Sequence, residues 1–135
     1  MTLEVVKEIS NIPAIILAGG FGKRLKKVLN NRAKPLAPVN GTPFLDIQIR
    51  WLRSQGIRKI FLAIYYKSEQ FEEFLSSNEY NDLDIKLVLE DAPLGTGGAV
   101  KNVILKENLE EEIFVLNGDT LINFNLNKII KNFFM

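Results

Sequence analysis

The chain alternates short apolar segments with segments of helical spacing, and this order restricts the fold classes open to it. The apolar segments Ala14–Leu17, Lys59–Tyr65, Ile85–Leu89 and Ile113–Leu116 have the length and composition of buried strands. Strands that alternate with helices form a parallel sheet covered on both faces, so the sequence predicts an α/β protein. With 135 residues, the chain is long enough for one domain with a real core and too short for two.

The helices are predicted from capping residues and apolar spacing. A turn is predicted at Asn40-Gly41, and the first helix is predicted to begin with Thr42 as N-cap and Pro43 at its first position. Gly56 is the predicted C-terminal cap. The predicted buried face of this helix consists of Phe44, Ile47, Trp51 and Leu52. Later helices are predicted after Ser68 as N-cap, over Ala99–Lys106 after a glycine-rich loop at Pro93–Gly98, and from Asn125 or Asn127.

Glycine-containing loops follow the first, third and fourth predicted strands. Ligands of parallel sheets bind beyond the carboxyl ends of the strands, so we expect these loops to meet at one site. The first loop contains Gly19, Gly20 and Gly22, which let the backbone turn tightly and approach a ligand. Exposed amides in such a loop bind anions, and Lys23 and Arg24 add positive charge. This pattern predicts a polyphosphate site, with a tight connection that binds nothing as the alternative.

Two other phosphate-binding motifs do not match this loop. A P-loop requires Ser or Thr after its Gly-Lys pair, whereas Arg24 follows Gly22-Lys23. A dinucleotide-binding fingerprint requires a third glycine where Leu25 stands. A nicotinamide-binding fold is therefore the weakest of the functional alternatives.

The absence of cysteine and histidine from the sequence restricts its chemistry. It excludes disulfides, Cys/His zinc sites, thiol nucleophiles and Ser-His-Asp triads. Carboxylates, Lys and Arg side chains, backbone amides and a hard metal such as Mg²⁺ are left. The net charge of +1 and the lack of a long apolar run give no case for a nucleic-acid or membrane partner. The lack of cysteine and of a signal peptide favours a cytoplasmic location.

Four motifs occur in an order that resembles the sugar-phosphate nucleotidylyltransferases. They are Leu17–Leu25, Lys34-Pro35, Glu90–Ala99 and Leu116–Asp119. The resemblance extends from about Ala14 to Leu126, and it implies a Rossmann-like three-layer sandwich with a mostly parallel sheet, of the nucleotide-diphospho-sugar transferase type. Segments 34–45 and 93–99 look most like the D-glycero-α-D-manno-heptose 1-phosphate guanylyltransferase branch, and next like the mannose 1-phosphate guanylyltransferases.

The resemblance implies a role for each matching residue. In nucleotidyl transfer, an oxygen of a sugar 1-phosphate attacks the α-phosphorus of a nucleoside triphosphate, a reaction that depends on positioning and charge stabilisation. Arg24 would neutralise the β- and γ-phosphates, Lys34 would bind the reacting phosphates, and Asp119 would hold Mg²⁺. Taken alone, Lys34 would be interpreted as a surface ion-pair residue and Asp119 as a turn residue. The remaining implied binding residues are Leu17, Ala18, Gly19, Gly20 and Gly22 for the triphosphate, and Gly95 and Thr96 for the base.

Glu90 bears on the choice of base. In relatives that use uracil or thymine, an amide side chain is common at the corresponding position, and an amide offers one donor and one acceptor. A carboxylate only accepts hydrogen bonds, and guanine presents two donors side by side. Glu90 therefore favours GTP, the alternative being a solvent-facing glutamate at a strand end.

The chain departs from the family pattern at two places. Ala33 stands where a proline usually precedes the lysine, which loosens the loop but keeps the charge. The sequence ends at Met135, before the further strands and second metal ligand of full-length members. We therefore expect residues 1–135 to form one nucleotidyltransferase-like domain, the N-terminal, nucleotide-binding part of a longer, truncated fold.

The expected substrates are GTP or another nucleoside triphosphate, and a sugar 1-phosphate of the heptose or mannose type. Two other functions are kept open. One is a non-catalytic nucleotide-binding module, and the other is a uridylyl or thymidylyl transferase of the same family. Assembly into a homo-oligomer is also left open.

Overall fold

A parallel sheet of four strands organises the protein. The computed structural model describes residues 8–19, 31–121 and 123–134. Its strands are β1 (Ala14–Leu17), β2 (Pro38–Val39), β3 (Thr42–Pro43), β4 (Lys59–Ile64), β5 (Asp84–Leu89) and β6 (Phe114–Asn117). Its α-helices are α1 (Phe44–Ser54), α2 (Ser68–Ser77), α3 (Gly95–Glu107) and α4 (Leu126–Phe134). The parallel strands lie in the order β5-β4-β1-β6.

The central strand of this sheet is β1, which pairs with β4 on one side and β6 on the other. At its carboxyl end, Leu17 lies in register with Ala63 and Asn117. The chain first adds β4 and β5 on one side of β1 and then crosses to place β6 on the other. The direction of winding therefore reverses beside β1, and a crevice at such a reversal is where open α/β sheets bind ligands.

The sheet separates two apolar cores because successive strand residues point to opposite faces. Ile16 and Leu62 lie in one core, together with apolar residues of α1, α2 and α4. Ile15 and Phe61 lie in the other core, with residues of α3. This arrangement of helix, sheet and helix confirms the predicted three-layer α/β fold.

The predicted N-cap at Thr42 is wrong. Thr42 and Pro43 form β3, which pairs antiparallel with β2. The turn between these strands is at Asn40-Gly41, as predicted, with φ values of 51° and 83°. Two consecutive positive φ angles are typical of a tight hairpin turn, so the chain forms a short ribbon before α1 begins at Phe44. The helix ends at Ser54, and Gly56 follows with φ of 101°, in keeping with the predicted stop.

The buried face of α1 is also rotated from the predicted one. Leu45, Ile49 and Leu52 are completely buried and so is Gln48, whereas the expected residues other than Leu52 are only partly buried. The spacing of these four residues is that of an amphipathic helix with one polar side chain on its inner face.

Helices α2 and α3 begin differently from the prediction, whereas α4 begins as predicted. Lys67 precedes α2 in a left-handed conformation, so Ser68 is the first helical residue and not the cap. The glycine-rich segment after β5 is partly helical, because α3 begins at Gly95 and not at Ala99. Asn125 Oδ1 accepts a hydrogen bond of 2.9 Å from Asn127 N, which confirms Asn125 as the start signal of α4.

Within the described segments, no helix has both the length and the apolar character needed to cross a bilayer.

A buried carboxylate links α1 to the segment before β5. Tyr80 Oη donates a hydrogen bond of 2.5 Å to Asp46 Oδ1, and Arg50 Nε donates one of 2.8 Å to Asp46 Oδ2. Burial and the hydrogen bond to Asp46 raise the pKa of Tyr80 well above its usual value. The phenol is therefore held in its neutral, donating form.

Candidate functional site

A cavity of about 470 Å³ opens at the carboxyl ends of β1, β5 and β6. It lies beside the reversal in winding direction, where the fold class predicts a ligand site. The predicted site residues that line it are Leu17, Ala18, Gly19, Lys34, Glu90, Gly95, Thr96 and Asp119. The predicted roles of Gly20, Gly22 and Arg24 concern positions outside the described residues.

An ion pair joins the two charged residues that were expected to act on phosphate and metal. Lys34 Nζ lies 2.9 Å from Asp119 Oδ2, and the side chains are 38% and 47% exposed. Because both groups are reachable from the cavity, a ligand can contact either of them. The pairing brings together two motifs that are 85 residues apart in the chain.

The carboxylate of Asp119 is held in its ionised form. The hydrogen bond from Lys34 Nζ, and a second of 3.1 Å from Thr120 Oγ1, lower the pKa of Asp119. An ionised oxygen donor at the cavity wall is the ligand type that Mg²⁺ prefers.

A single carboxylate suits a magnesium ion that arrives with phosphates. Mg²⁺ is commonly held by one or two carboxylates together with substrate phosphates and water. No group of three His, Cys, Asp or Glu residues that could hold a metal occurs in the described part of the chain. The donors present therefore fit a nucleotide-bound Mg²⁺ better than a resident metal centre, with Asp119 as the residue that would hold it.

Glu90 lines the same cavity from the end of β5, the strand at the other edge of the sheet from β6, and is 9% exposed. Its Oε2 accepts a hydrogen bond of 3.3 Å from Leu94 N, in the turn before α3. Negative charge at this end of a helix is favourable, because the unpaired N–H groups of the first turn carry partial positive charge. The alternative of a solvent-facing glutamate therefore does not apply, and Glu90 presents a fixed acceptor to the cavity.

Two glycines allow the backbone to approach closely around the cavity. A Cβ added at Gly19 would lie 3.2 Å from Glu90 Oε1 and 3.4 Å from Tyr65 N. A Cβ added at Gly118 would lie 2.6 Å from Leu17 O, a distance that forces the backbone to shift. The loop after β1 and the turn after β6 are thus packed against each other through Gly118, whose N–H donates to Leu17 O at 2.8 Å.

The first turn of α3 forms the rim of the cavity. Gly95 and Thr96 are both exposed and line the cavity, and Gly95 has φ of 71°. This conformation favours glycine and sets the path by which the chain enters the helix. Leu94 precedes the helix without a side-chain cap, so the N-terminal amides of α3 are left for other partners.

The segment that carries Lys34 is fixed by α2. Gln70 Oε1 accepts a hydrogen bond of 2.8 Å from Ala33 N, and Gln70 Nε2 donates one of 2.8 Å to Asn31 O. Lys67 Nζ also donates to Asn31 O. The loosening expected from Ala33 in place of proline is therefore offset by side-chain hydrogen bonds to the backbone.

The residues that hold the turn of Asp119 in place were not predicted from the sequence. Gln48 on α1 donates to the backbone on both sides of Asp119. The sequence predicted Gly118 only as part of a turn. The signal for Gln48 was present, because it falls at the i+3 position of the apolar series Leu45, Ile49 and Leu52. A polar residue at such a position has a specific buried partner in most proteins.

Comparison with known proteins identifies the family. Residues 13–134 match the family model described as nucleotidyl transferase. The D-glycero-alpha-D-manno-heptose 1-phosphate guanylyltransferase of Campylobacter jejuni is 42% identical over 119 residues, which cover 88% of this chain and 52% of the relative. The protein of the same description from Aneurinibacillus thermoaerophilus is 42% identical over 118 residues, covering 87% and 50%. The mannose-1-phosphate guanylyltransferase of Mycobacterium tuberculosis is 34% identical over 119 residues, covering 88% and 33%.

Solved structures of a similar protein also superpose on this chain. The crystal structure of HddC from Yersinia pseudotuberculosis superposes with a TM-score of 0.79 at 35% identity, covering 90% of this chain and 53% of that one. A second structure of HddC, described as complexed with GMP-PN, superposes with a TM-score of 0.78 at 34% identity, covering the same shares of the two chains.

The fold, the cavity and these matches define one class of protein: the chain belongs to the nucleotidyl transferase family. The family resemblance deduced from the four motifs is confirmed. The chain spans about half the length of the two heptose 1-phosphate guanylyltransferases that it matches.

Proposed function

We propose that the chain binds GTP in the cavity at the carboxyl ends of the strands and takes part in guanylyl transfer to a sugar 1-phosphate of the heptose or mannose type. The observation that carries the proposal is the convergence of Lys34, Glu90 and Asp119 on one cavity from three separate motifs. If these three residues served only in ion pairs or at the end of a helix, they would not need to line the same cavity. The reaction class is supported by the relatives, which are a heptose 1-phosphate and a mannose-1-phosphate guanylyltransferase.

The reaction forms one P–O bond and breaks another. A phosphate oxygen of the sugar 1-phosphate attacks the α-phosphorus of GTP, and the bond from that phosphorus to the bridging oxygen of pyrophosphate breaks. The products are a GDP-sugar and pyrophosphate. Such in-line transfer relies on positioning and on stabilisation of phosphate charge, so an enzyme without histidine or cysteine can perform it.

The cationic part of the site acts on the phosphates. On binding of the nucleotide, the ammonium of Lys34 leaves Asp119 and donates hydrogen bonds to the oxygens of the reacting phosphates. The freed carboxylate of Asp119 would then hold Mg²⁺, which would supply neutralisation of charge on the phosphates. Arg24 stays a predicted second cation for the β- and γ-phosphates.

The base is held at the other end of the cavity. Glu90 offers carboxylate oxygens as acceptors for the two adjacent N–H donors of guanine, and Gly95 and Thr96 contact the ring from the first turn of α3. The backbone of Leu17, Ala18 and Gly19 borders the triphosphate. The description of an HddC structure as a complex with GMP-PN supports guanine as the base for a related protein.

A second candidate function is nucleotide binding without transfer. It is favoured because every role proposed for the residues that line the cavity concerns the nucleotide or its metal ion, and none concerns the sugar. We propose the cytoplasm as the compartment in either case, because nucleoside triphosphates are supplied there.

Pyrophosphate release separates the two functions. With GTP, Mg²⁺ and heptose or mannose 1-phosphate, the transferase predicts release of pyrophosphate that depends on the sugar. Asp119→Asn should abolish this release while the fold stays intact. Asp84→Asn is the matched control, since Asp84 also pairs with a lysine, Lys59, at 3.6 Å but does not line the cavity. GTP binding without any pyrophosphate release would support the binding module, and failure to bind any nucleotide would refute both.

A further inference from the structure

Gln48 is a completely buried glutamine whose amide reaches the turn that carries Asp119. From the inner face of α1, Nε2 donates one hydrogen bond of 2.7 Å to Asn117 O and another of 2.8 Å to Thr120 O. These two carbonyls flank Gly118 and Asp119 in the chain. The side chain of Gln48 therefore bridges the two ends of the turn, and unlike the turn it does not line the cavity.

The turn depends on this amide for its closure. Its own backbone hydrogen bond, from Thr120 N to Asn117 O, is long at 3.4 Å. On the cavity side the turn is limited by Gly118, whose N–H donates to Leu17 O and whose Cα has no room for a side chain. The turn is thus held by β1 through Gly118 and by α1 through Gln48, and these contacts fix the position of the Asp119 carboxylate.

The amide of Gln48 is not fully satisfied by this arrangement. No residue in the described part of the chain donates to its Oε1, although that atom is buried. A buried acceptor without a donor lowers stability, and an apolar side chain of similar size would avoid the loss. Core packing alone would therefore favour leucine or methionine here, and the presence of glutamine is explained by the two carbonyls that it binds.

We propose that Gln48 is the positioning residue for the metal-binding carboxylate of Asp119. The inference rests on the proposed function, in which Asp119 holds nucleotide-bound Mg²⁺. Residues that orient a metal ligand typically change metal affinity about 10- to 100-fold when they are replaced. Gln48 acts on the ligand through the backbone of the turn and touches neither nucleotide nor metal.

The test compares Gln48→Met with Gln55→Met. Gln55 lies at the end of the same helix and also binds a backbone group, since its Oε1 accepts a hydrogen bond of 3.0 Å from Leu126 N, remote from the cavity. GTP binding is titrated with Mg²⁺ by calorimetry. We expect the Mg²⁺ concentration at half-maximal binding to rise about 10-fold or more in Gln48→Met and to stay unchanged in Gln55→Met.

A second measurement needs no ligand. Amide hydrogen exchange at Gly118, Asp119 and Thr120 should be faster in Gln48→Met than in Gln55→Met, because only the first variant frees the turn. An unchanged Mg²⁺ midpoint together with unchanged exchange would overturn the proposal. If the wild type binds no GTP, the proposed function fails, and the exchange experiment still decides whether Gln48 orders the turn.

The wild-type protein provides the test if Gln48→Met does not fold. Its Gln48 side-chain amide protons should exchange slowly with solvent, and their NMR signals should shift as Mg²⁺ saturates the GTP complex. Signals that exchange freely, or that stay fixed throughout the titration, would contradict the positioning role.

Discussion

Lys34 Nζ and Asp119 Oδ2 lie 2.9 Å apart and form an ion pair at the wall of the cavity. Under the proposed function, an incoming Mg²⁺–nucleotide would supply the opposite charge for each of them. Binding would therefore exchange one partly exposed ion pair for two stronger contacts. Because an exposed pair contributes only about 0–1 kcal/mol, its loss is a small barrier to this exchange.

Lys34→Met should weaken GTP binding in Mg²⁺ by about 10-fold or more. A hydrogen bond to a charged group contributes about 1.5–3 kcal/mol, and this variant removes the ammonium that would donate it. Calorimetry gives the dissociation constant. Lys86→Met is the control, because Lys86 pairs with Glu107 at 2.9 Å on a surface outside the cavity. Equal affinities in the two variants would show that Lys34 does not contact the phosphates.

Glu90→Gln should reduce the preference for GTP over UTP. The amide replaces one acceptor oxygen with a donor, which repels a guanine N–H and suits the ring of uracil. Dissociation constants for both nucleotides measure the change. Asp91→Asn alters the neighbouring exposed carboxylate and should leave the preference as it is. If Glu90→Gln keeps the wild-type ratio, Glu90 serves only to hold the turn before α3 through Leu94 N.

Gly118→Ala should lower the free energy of unfolding by about 1–3 kcal/mol, the usual effect of overpacking. Its new methyl group would lie 2.6 Å from Leu17 O. Gly97→Ala is the matched control, since nothing lies within 4 Å of a Cβ added there. In a helix such a change stabilises by about 0.4–1 kcal/mol. Urea unfolding followed by the fluorescence of Trp51, the single tryptophan, provides the comparison, and equal stabilities would contradict the close approach.

Tyr80→Phe should change how stability depends on alkaline pH. The pKa of Tyr80 is raised in the folded state, so the folded protein keeps a proton that the unfolded chain loses above its ordinary pKa of 10.0. The stabilisation is therefore complete below about pH 10 and declines as the pH rises further. Above about pH 10, the wild type should lose stability more steeply than Tyr80→Phe.

The control for this prediction is Phe74→Leu, which removes the ring whose centroid lies 6.1 Å from that of Tyr80 but keeps the Tyr80 hydroxyl. Its loss of stability with rising pH should run parallel to that of the wild type across the same pH range. A Tyr80→Phe curve parallel to that of the wild type would mean that Tyr80 does not hold its proton through Asp46.

The parallel sheet was predictable because apolar strands and glycine loops are local signals. The loops after the first, third and fourth predicted strands were correctly expected to meet, whereas the position of β1 between β4 and β6 was not predicted. The prediction failed at Thr42, where a left-handed turn at Asn40-Gly41 directs the chain into a hairpin before α1. Capping signals are weak beside such a turn, since pairing to β2 uses the same residues.

The roles of Gln48 and Gly118, which hold the turn of Asp119 in place, were not predictable from local signals. Gln48 contacts a turn that is 69 to 72 residues away, and nothing local to α1 specifies that partner. Likewise, the crowding at Gly118 comes from β1, so it depends on tertiary packing. The roles of Arg24, Gly20 and Gly22 stay predictions from the motif.

The central place of β1 also has a consequence for folding kinetics. Among the described strands β1 comes earliest in the chain, yet both of its partners, β4 and β6, follow much later. Pairings between distant segments form slowly, because the intervening chain must be ordered before the contact contributes. Since the ion pair of Lys34 requires the turn after β6, the ability to bind nucleotide should return last on refolding, after the helical signal has recovered.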